Sequence, residues 1–442
     1  MAAADGELGK GSSTTASTPE TDPSSRTALV AVGAGNAIEW FDISCYATFA
    51  AFFAPQFFAG EDKVSSLLST FAVFAVGFIA RPVGGVVLGW LADRKGRSFT
   101  MLLAVGLSSL GSLIIALSPV HHTIGALAAV LLVCARLVQG FAHGGEMPAS
   151  QTYVAEVAPA SRRGMWSSLT YISGTLGVIT ASMLGAILTT LLSDEQMSDF
   201  GWRIPFFLGA ALGAVAFVLR TNLAEPQIFS KSSQESGSAV SLGRNLINHR
   251  RTMAIVVALT AGATVAYYSW GVSTPAYAIS AFSMPAAGAM WAGTLAKVVF
   301  LVALPLWGLH SDKVGRKPAL IKATSALIVV LFPLAWLLQG GQAWQLFVTM
   351  SVALIFIAAA NSIGPALFAE MLPTGVRTVG IGLPMSLGVA LFGGTAPFLQ
   401  TLAASKGIPE AFTAYTLVLL CISLITLIFF VRETRGKDLS TS

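Results

Sequence analysis

The sequence predicts an all-α membrane protein: twelve transmembrane helices arranged as two six-helix bundles. Three observations carry this. Hydrophobic residues make up 54% of the 442 and charged residues only 11%, where a soluble domain carries about 25% charged. The apolar residues fall in runs of roughly twenty, the length that spans a bilayer as a helix. One loop occurs twice: GWLADRKGR, from Gly89 to Arg97, returns as GLHSDKVGR, from Gly308 to Arg316, 219 positions later. Each copy joins two apolar runs, so the chain reads as two homologous halves.

Residues 1–27 are rich in Ala, Ser, Thr and Gly, and read as a disordered tail. They lack a basic segment followed by a short apolar core, so they are not a signal peptide. The first half, 28–221, holds apolar runs near 28–53, 65–90, 100–119, 123–152, 165–192 and 203–221. Residues 222–251, rich in Ser, Asn, Gln and Arg, form the linker. The second half, 252–431, holds runs near 253–282, 286–308, 319–339, 343–368, 377–403 and 408–431, and 432–442 is a short tail. A second repeat supports this division. AEVAPASRRG around Glu156 matches AEMLPTGVRT around Glu370, so Glu156, Pro159 and Arg163 correspond to Glu370, Pro373 and Arg377 at an offset of 214.

Basic residues orient the chain. Of the 26 Lys and Arg, Lys63, Arg203 and Lys406 fall on one side, and Arg81, Arg136 and Lys297 lie inside spans. The remaining 20 fall on the side of both termini, which places the termini in the cytoplasm. The formal charge of +5 is therefore a matter of topology, and no basic stretch interleaved with aromatics points to nucleic acid. Cys45, Cys134 and Cys421 all lie in apolar runs, without disulfide or metal-ligand spacing. No cofactor motif, and no nucleophile–base spacing of an enzyme, is present.

In the first loop copy, Gly89 allows close helix approach, Asp93 pairs with Arg94 or Arg97 or caps the next helix, and Gly96 makes the turn. The second copy offers Gly308, Asp312, Gly315 and Arg316, with His310 and Lys313 substituted in. Such a loop is either a latch that closes one end of a carrier or a plain topogenic turn. The paired loops resemble the signature of the major facilitator superfamily. GNAIEWFDISCYA (Gly35–Ala47), ARPVGG (Ala80–Gly85), RLVQGFAHGGE (Arg136–Glu146), GWRIPF (Gly201–Phe206) and AEPQIF (Ala224–Phe229) resemble its metabolite:proton symporter family. That resemblance implies the major facilitator fold and proton-coupled uptake of a small organic anion, such as 2-oxoglutarate or citrate. Carriers of proline, betaine or shikimate-type acids are the alternative, with an efflux antiporter or a non-transporting sensor behind them. The partners expected are an organic anion, a proton and the lipid bilayer, with the chain acting as a monomer in a bacterial-type inner or plasma membrane.

Ionisable side chains at bilayer depth are costly and mark function. Here they are Glu39, Asp42, Arg81, Arg136, Glu146 and Lys297. At ~100° per residue, Arg136, Gln139, His143 and Glu146 share an arc of about 80°, and Asn36, Glu39, Asp42 and Tyr46 one of about 120°. Asp42 first, then Glu39 and Glu146, are expected to carry the proton, with His143 a relay; their alternative role is permanent neutralisation of Arg81 or Arg136. Arg81 and Lys297 are expected to clamp substrate carboxylate from opposite halves. Lys297 either binds the anion or pairs with Asp42, Glu39 or Glu146. Arg136 could bind substrate carboxylate in the same way. A basic residue at this point of the fourth helix is widespread in the superfamily, where it is often assigned to proton coupling, so structure and coupling outweigh substrate contact. Tyr268 and Asn361 complete the expected cavity.

Overall fold

The computed structural model describes residues 23–58, 63–95, 97–144, 151–152, 154–156, 158–221, 248–373, 377–437 and 439, and among them the regular structure is helical throughout. The first six long helices are α1 (Pro23–Phe57), α2 (Lys63–Lys95), α3 (Arg97–Leu117), α4 (Leu127–Ala142), α5 (Arg163–Leu191) and α6 (Ile204–Thr221). α7 runs from Arg250 to Ala281 and contains a π turn at Tyr267–Ser273. It is followed by α8 (Ala286–Val314), α9 (Arg316–Leu338) and α10 (Ala343–Met371). α11 consists of Arg377–Gly388, a second π turn at Val389–Gly393, and Ala396–Ser405; α12 is Pro409–Phe429. Among the described residues, nine helices are long and apolar enough to cross a membrane, and α3 and α4 contribute shorter apolar stretches. The 35-residue α1, diluted by Glu39 and Asp42, completes the twelve.

Several helices extend beyond their apolar limits. α2 continues to Lys95 and α8 to Val314, and α7 starts at Arg250, inside the stretch read as linker. The hydrogen-bonded ladder continues in water once the buried part has nucleated it, so polarity marks the membrane edge rather than the helix end. Residues 1–22 and 222–247, and with them most of both expected non-helical segments, lie outside the described residues.

Helix contacts follow small residues. A Cβ on Gly140 would collide with the Gly77 carbonyl oxygen, and one on Gly144 with that of Arg81. Only glycine permits α2 and α4 to approach this closely, and the approach sets Arg81 beside the polar face of α4. Between the halves, the broadest contacts are α5 with α8 and α2 with α11, positions related by the internal repeat. The face at which α1 begins and α12 ends is the terminal face. Near the other face, GWRIPF is structural. Trp202 is fully buried against Phe53, Phe57 and Phe206, and Arg203 donates to the carbonyls of Ala116 and Ser118, at 2.7 and 2.8 Å, where α3 ends. A cation there opposes the negative end of the helix dipole.

Candidate functional site

A cavity with about 1070 Å³ of empty space, its open mouth included, is walled by residues from both halves. Arg81 enters from α2, Trp40 from α1 and Tyr171 from α5; the second half adds Tyr267, Tyr268 and Asn361. The π turn explains why two successive tyrosines both reach it. The wider turn departs from the 100° helical step, and Gly393 of the other π turn leaves room where a Cβ would meet the Tyr268 ring at 2.8 Å. The Arg81 guanidinium stacks 4.0 Å over Phe78, its Nε has no hydrogen-bond partner, and Asn361 Nδ2 and Thr260 Oγ1 on the same cavity are likewise unpartnered. Buried polar atoms without partners are costly, and here three of them face one space.

A polar ladder crosses the first half beside this cavity. Arg136 stacks over the rings of Tyr46 and Phe74, at 4.4 and 5.2 Å, and donates to Gln139 Oε1 at 2.9 Å. Gln139 Nε2 donates to Asp42 Oδ2 at 2.9 Å. Asp42 also accepts from Ser112 and, at 3.1 Å, from Ser108. His143 lies between the two carboxylates of α1, with Nδ1 3.2 Å from Glu39 Oε1 and Nε2 3.7 Å from Asp42 Oδ2. Asp42 is thus joined to Arg136 through an amide and not by a direct ion pair. Glu146 lies outside the described residues, as do Gly96 and the side chains at positions 89, 93, 94 and 97 of the first loop copy.

The second loop copy bridges the halves. Asp312 accepts from the backbone N–H groups of Gly164 and Met165, both at 2.9 Å, capping the first turn of α5. Gly308 lies against Gly164, where a Cβ would meet the carbonyl oxygen at 2.8 Å. Arg316 is fully buried between Asp312, at 2.6 Å, and Glu370, at 3.4 Å. The second repeat forms a reciprocal pair of salt bridges. Arg163 meets Glu370 at 2.9 Å, and Arg377 meets Glu156 at 2.6 Å. Each arginine also donates from Nε to an equivalent carbonyl of its own half, Ala155 or Ala369. The terminal segment overlies this clamp. Thr434 donates to Glu370 at 2.6 Å, and Arg163 donates to the Lys437 carbonyl at 2.9 Å. Burial of Glu433 would raise its carboxyl, but donation by the backbone N–H groups of Arg316, Arg435, Lys317 and Thr434 outweighs this and holds it below its ordinary value.

Of the residues singled out in the sequence, Arg81, Tyr268 and Asn361 share the central cavity, while Asp42, Glu39, His143 and Arg136 form the ladder. Lys297 joins neither. Its Nζ donates to Ser182 Oγ at 2.6 Å in the α5–α8 contact, and it is 3% exposed. The expected clamp of Arg81 with Lys297 is therefore replaced by a single guanidinium in the cavity, and no carboxylate pairs with the lysine among the described residues. The physical reason is that the Lys297 face of α8 packs on α5. Trp40 and Tyr171 were not singled out as lining residues. Arg163, Glu370, Glu156 and Arg377 were not singled out as a clamp, although the repeat at offset 214 was the available signal.

A twelve-helix bundle pair with a cavity between its repeats is the architecture of a secondary transporter. The family described as "Sugar (and other) transporter" matches residues 27–245 and again 227–441. The chain is 35% identical to the alpha-ketoglutarate permease of Escherichia coli (strain K12), covering 93% of this chain and 95% of the relative. It is 31% identical to the citrate-proton symporter of Salmonella typhi, covering 92% and 95%. Its fold matches a solved structure of the proton:xylose symporter XylE with a TM-score of 0.72 at 18% identity, covering 93% and 96%. This chain belongs to the sugar (and other) transporter family, within the metabolite:proton symporters of the major facilitator superfamily, and is an integral multi-pass membrane protein.

Proposed function

We propose that this chain carries a small organic carboxylate into the cell together with protons, as a monomer in a bacterial-type inner membrane with both termini in the cytoplasm. One observation carries the reading. The only cationic side chain lining the described central cavity is Arg81, with Nε free, while a separate carboxylate–imidazole ladder holds Asp42, His143 and Glu39. A guanidinium recognises carboxylate through its planar fork, and buried carboxylates exchange protons with the two sides in turn. Arg81 would hold the carboxylate, with Tyr268 and Asn361 orienting the rest. Asp42 would carry the proton, with Glu39, His143 and Glu146 assisting and Arg136 steadying the ladder through Gln139. The clamp and the two loop copies would close the cytoplasmic end. 2-Oxoglutarate and citrate are the first substrates, by similarity to the permease and symporter above.

A second reading has its own observation. Six aromatic residues, Trp40, Tyr171, Tyr267, Tyr268, Phe356 and Phe368, line the cavity that Arg81 enters. Aromatic faces attract alkylated ammonium groups, so a zwitterion such as proline or betaine also fits. Reconstituted vesicles with an imposed inward pH gradient test both. Labelled 2-oxoglutarate or citrate should accumulate, and a protonophore should abolish the gain. Accumulation indifferent to the protonophore removes proton coupling. Inhibition by excess betaine but not by excess citrate favours the zwitterion.

A further inference from the structure

We propose that protons leave through the interior of the N-terminal half, along a relay from Asp42 through His143 to Glu39, into a water cavity distinct from the one that holds the substrate. This rests on the proton-coupled reading above and on the termini being cytoplasmic. The second cavity has about 480 Å³ of empty space between α1, α3, α4 and α6. Glu39, Asp42, His143 and Ser108 line it, and it shares no lining residue with the central cavity.

Its direction follows from the chain. Gly35 on α1 lies two helical turns before Asp42, towards the terminal face. Ala104 lies early in α3, which begins at that face, and Ala216 late in α6, which ends there. The cavity therefore extends from the membrane centre towards the cytoplasm. Glycine keeps it open, since a Cβ on Gly209 would sit 3.2 Å from Asp42 Oδ1 and one on Gly213 would collide with Ser109.

The relay has donors and acceptors in sequence. A proton on Asp42 Oδ2 passes to His143 Nε2, 3.7 Å away, over the Ser108 hydroxyl, which lies 3.1 Å from Oδ2 and 3.3 Å from Nε2. The Nδ1 proton then passes to Glu39 Oε1, 3.2 Å away, and from there to cavity water. One proton leaves Asp42 and one reaches water; the ring is cationic only between the two transfers, ends neutral as the other tautomer and resets when it rotates. The charged groups facing the ring are Glu39 and Asp42 on α1 and Arg81 on α2. Arg136 on α4 acts through Gln139, while α3 presents serines and α6 glycines. None of these steps crosses the clamp of Arg163 with Glu370 and Arg377 with Glu156. The proton route therefore stays available while the substrate route is shut.

The test uses full-length carrier in vesicles, with labelled 2-oxoglutarate and citrate as probes. His143→Gln keeps hydrogen bonding but not proton transfer, and should lower pH-driven accumulation by about tenfold or more relative to counterflow exchange. Ala104→Leu fills the cytoplasmic end of the cavity without touching the carboxylates; it should slow accumulation by about threefold or more and leave exchange intact. Ala104→Val takes its place if the leucine variant does not fold. Accumulation at the unmutated level in the His143 and Ala104 variants overturns the relay. If the unmutated carrier neither accumulates nor exchanges either probe, the proposed substrate reading fails. The relay is then read from the infrared carboxyl band that Asp42→Asn removes. That band should titrate with a displaced midpoint in His143→Gln, and an unmoved midpoint overturns the relay.

Discussion

The terminal face and the membrane centre treat the internal repeat in opposite ways. At the terminal face the repeat is obeyed. Arg163–Glu370 and Arg377–Glu156 exchange partners between the halves, and each arginine binds the equivalent carbonyl of its own half. At the centre it is broken. The first half holds the ladder of Arg136, Gln139, Asp42, His143 and Glu39, whereas the second offers Lys297 on Ser182. Closing two similar halves against each other is a symmetric task, so symmetric contacts suffice. Moving a proton and selecting an anion are different tasks, and on the proposed reading one half has specialised for the first.

The largest effect should come from the centre. Arg81→Ala removes the only cation lining the described cavity, and should raise the half-saturating concentration of the transported acid by about a hundredfold, from the loss of a charge-assisted pair. Arg81→Lys should recover only part of this, because an ammonium lacks the fork. An unchanged uptake curve would place recognition elsewhere.

The clamp comes next, and its symmetry is only approximate. Glu370 is fully buried and contacts Arg163, Arg316 and Thr434, while the Glu156 side chain is 40% exposed. Glu370→Gln should therefore cost about 3 kcal/mol in closure or fold stability, and Glu156→Gln under about 1 kcal/mol. Thermal unfolding in detergent, together with thiol labelling at the terminal face, measures both. Equal effects would show that the repeat is symmetric in energy as well as in geometry.

Lys297→Met should act more weakly. An ammonium buried with one hydrogen-bond partner contributes little net stability, so an apolar replacement should be neutral or stabilising by about 1 kcal/mol. Half-saturation should stay within about twofold, against a loss of about tenfold or more if the lysine reached the substrate. The smallest effect concerns Glu433. Its carboxyl sits below its ordinary value in the folded protein, so the stability it adds is fully present above the ordinary carboxylate range, near about 4.3, and is lost only as pH falls through the lowered value. Tryptic cleavage at Arg432 and Arg435 should accordingly be constant between about pH 6 and 8; a rise in cleavage within that window would contradict the docking.

The helices were legible because a lipid-spanning run must be apolar for its whole length. The charged residues were legible because their burial needs a reason, and Asp42, Glu39, His143 and Arg136 do converge. Partners were less legible. Lys297 was expected at a substrate or a carboxylate, but side-chain type does not say which face of α8 meets α5. Tyr267 and Trp40 look like packing residues in the sequence, and it takes the π turn of α7 and the close seat of Trp40 on Gly174 to turn them to the cavity. The clamp was present in the sequence as a repeat, but its exchange of partners between halves exists only once the halves face each other.

The cap that Asp312 provides for α5 would make the proposed opening of the terminal face a wetting event. Parting the halves strips the N–H groups of Gly164 and Met165 of their acceptor and takes Arg163 away from the buried Oε1 of Glu370. Water must take over each of these bonds. The balance between closed and open carrier should therefore follow the activity of water, with excluded osmolytes holding the closed form.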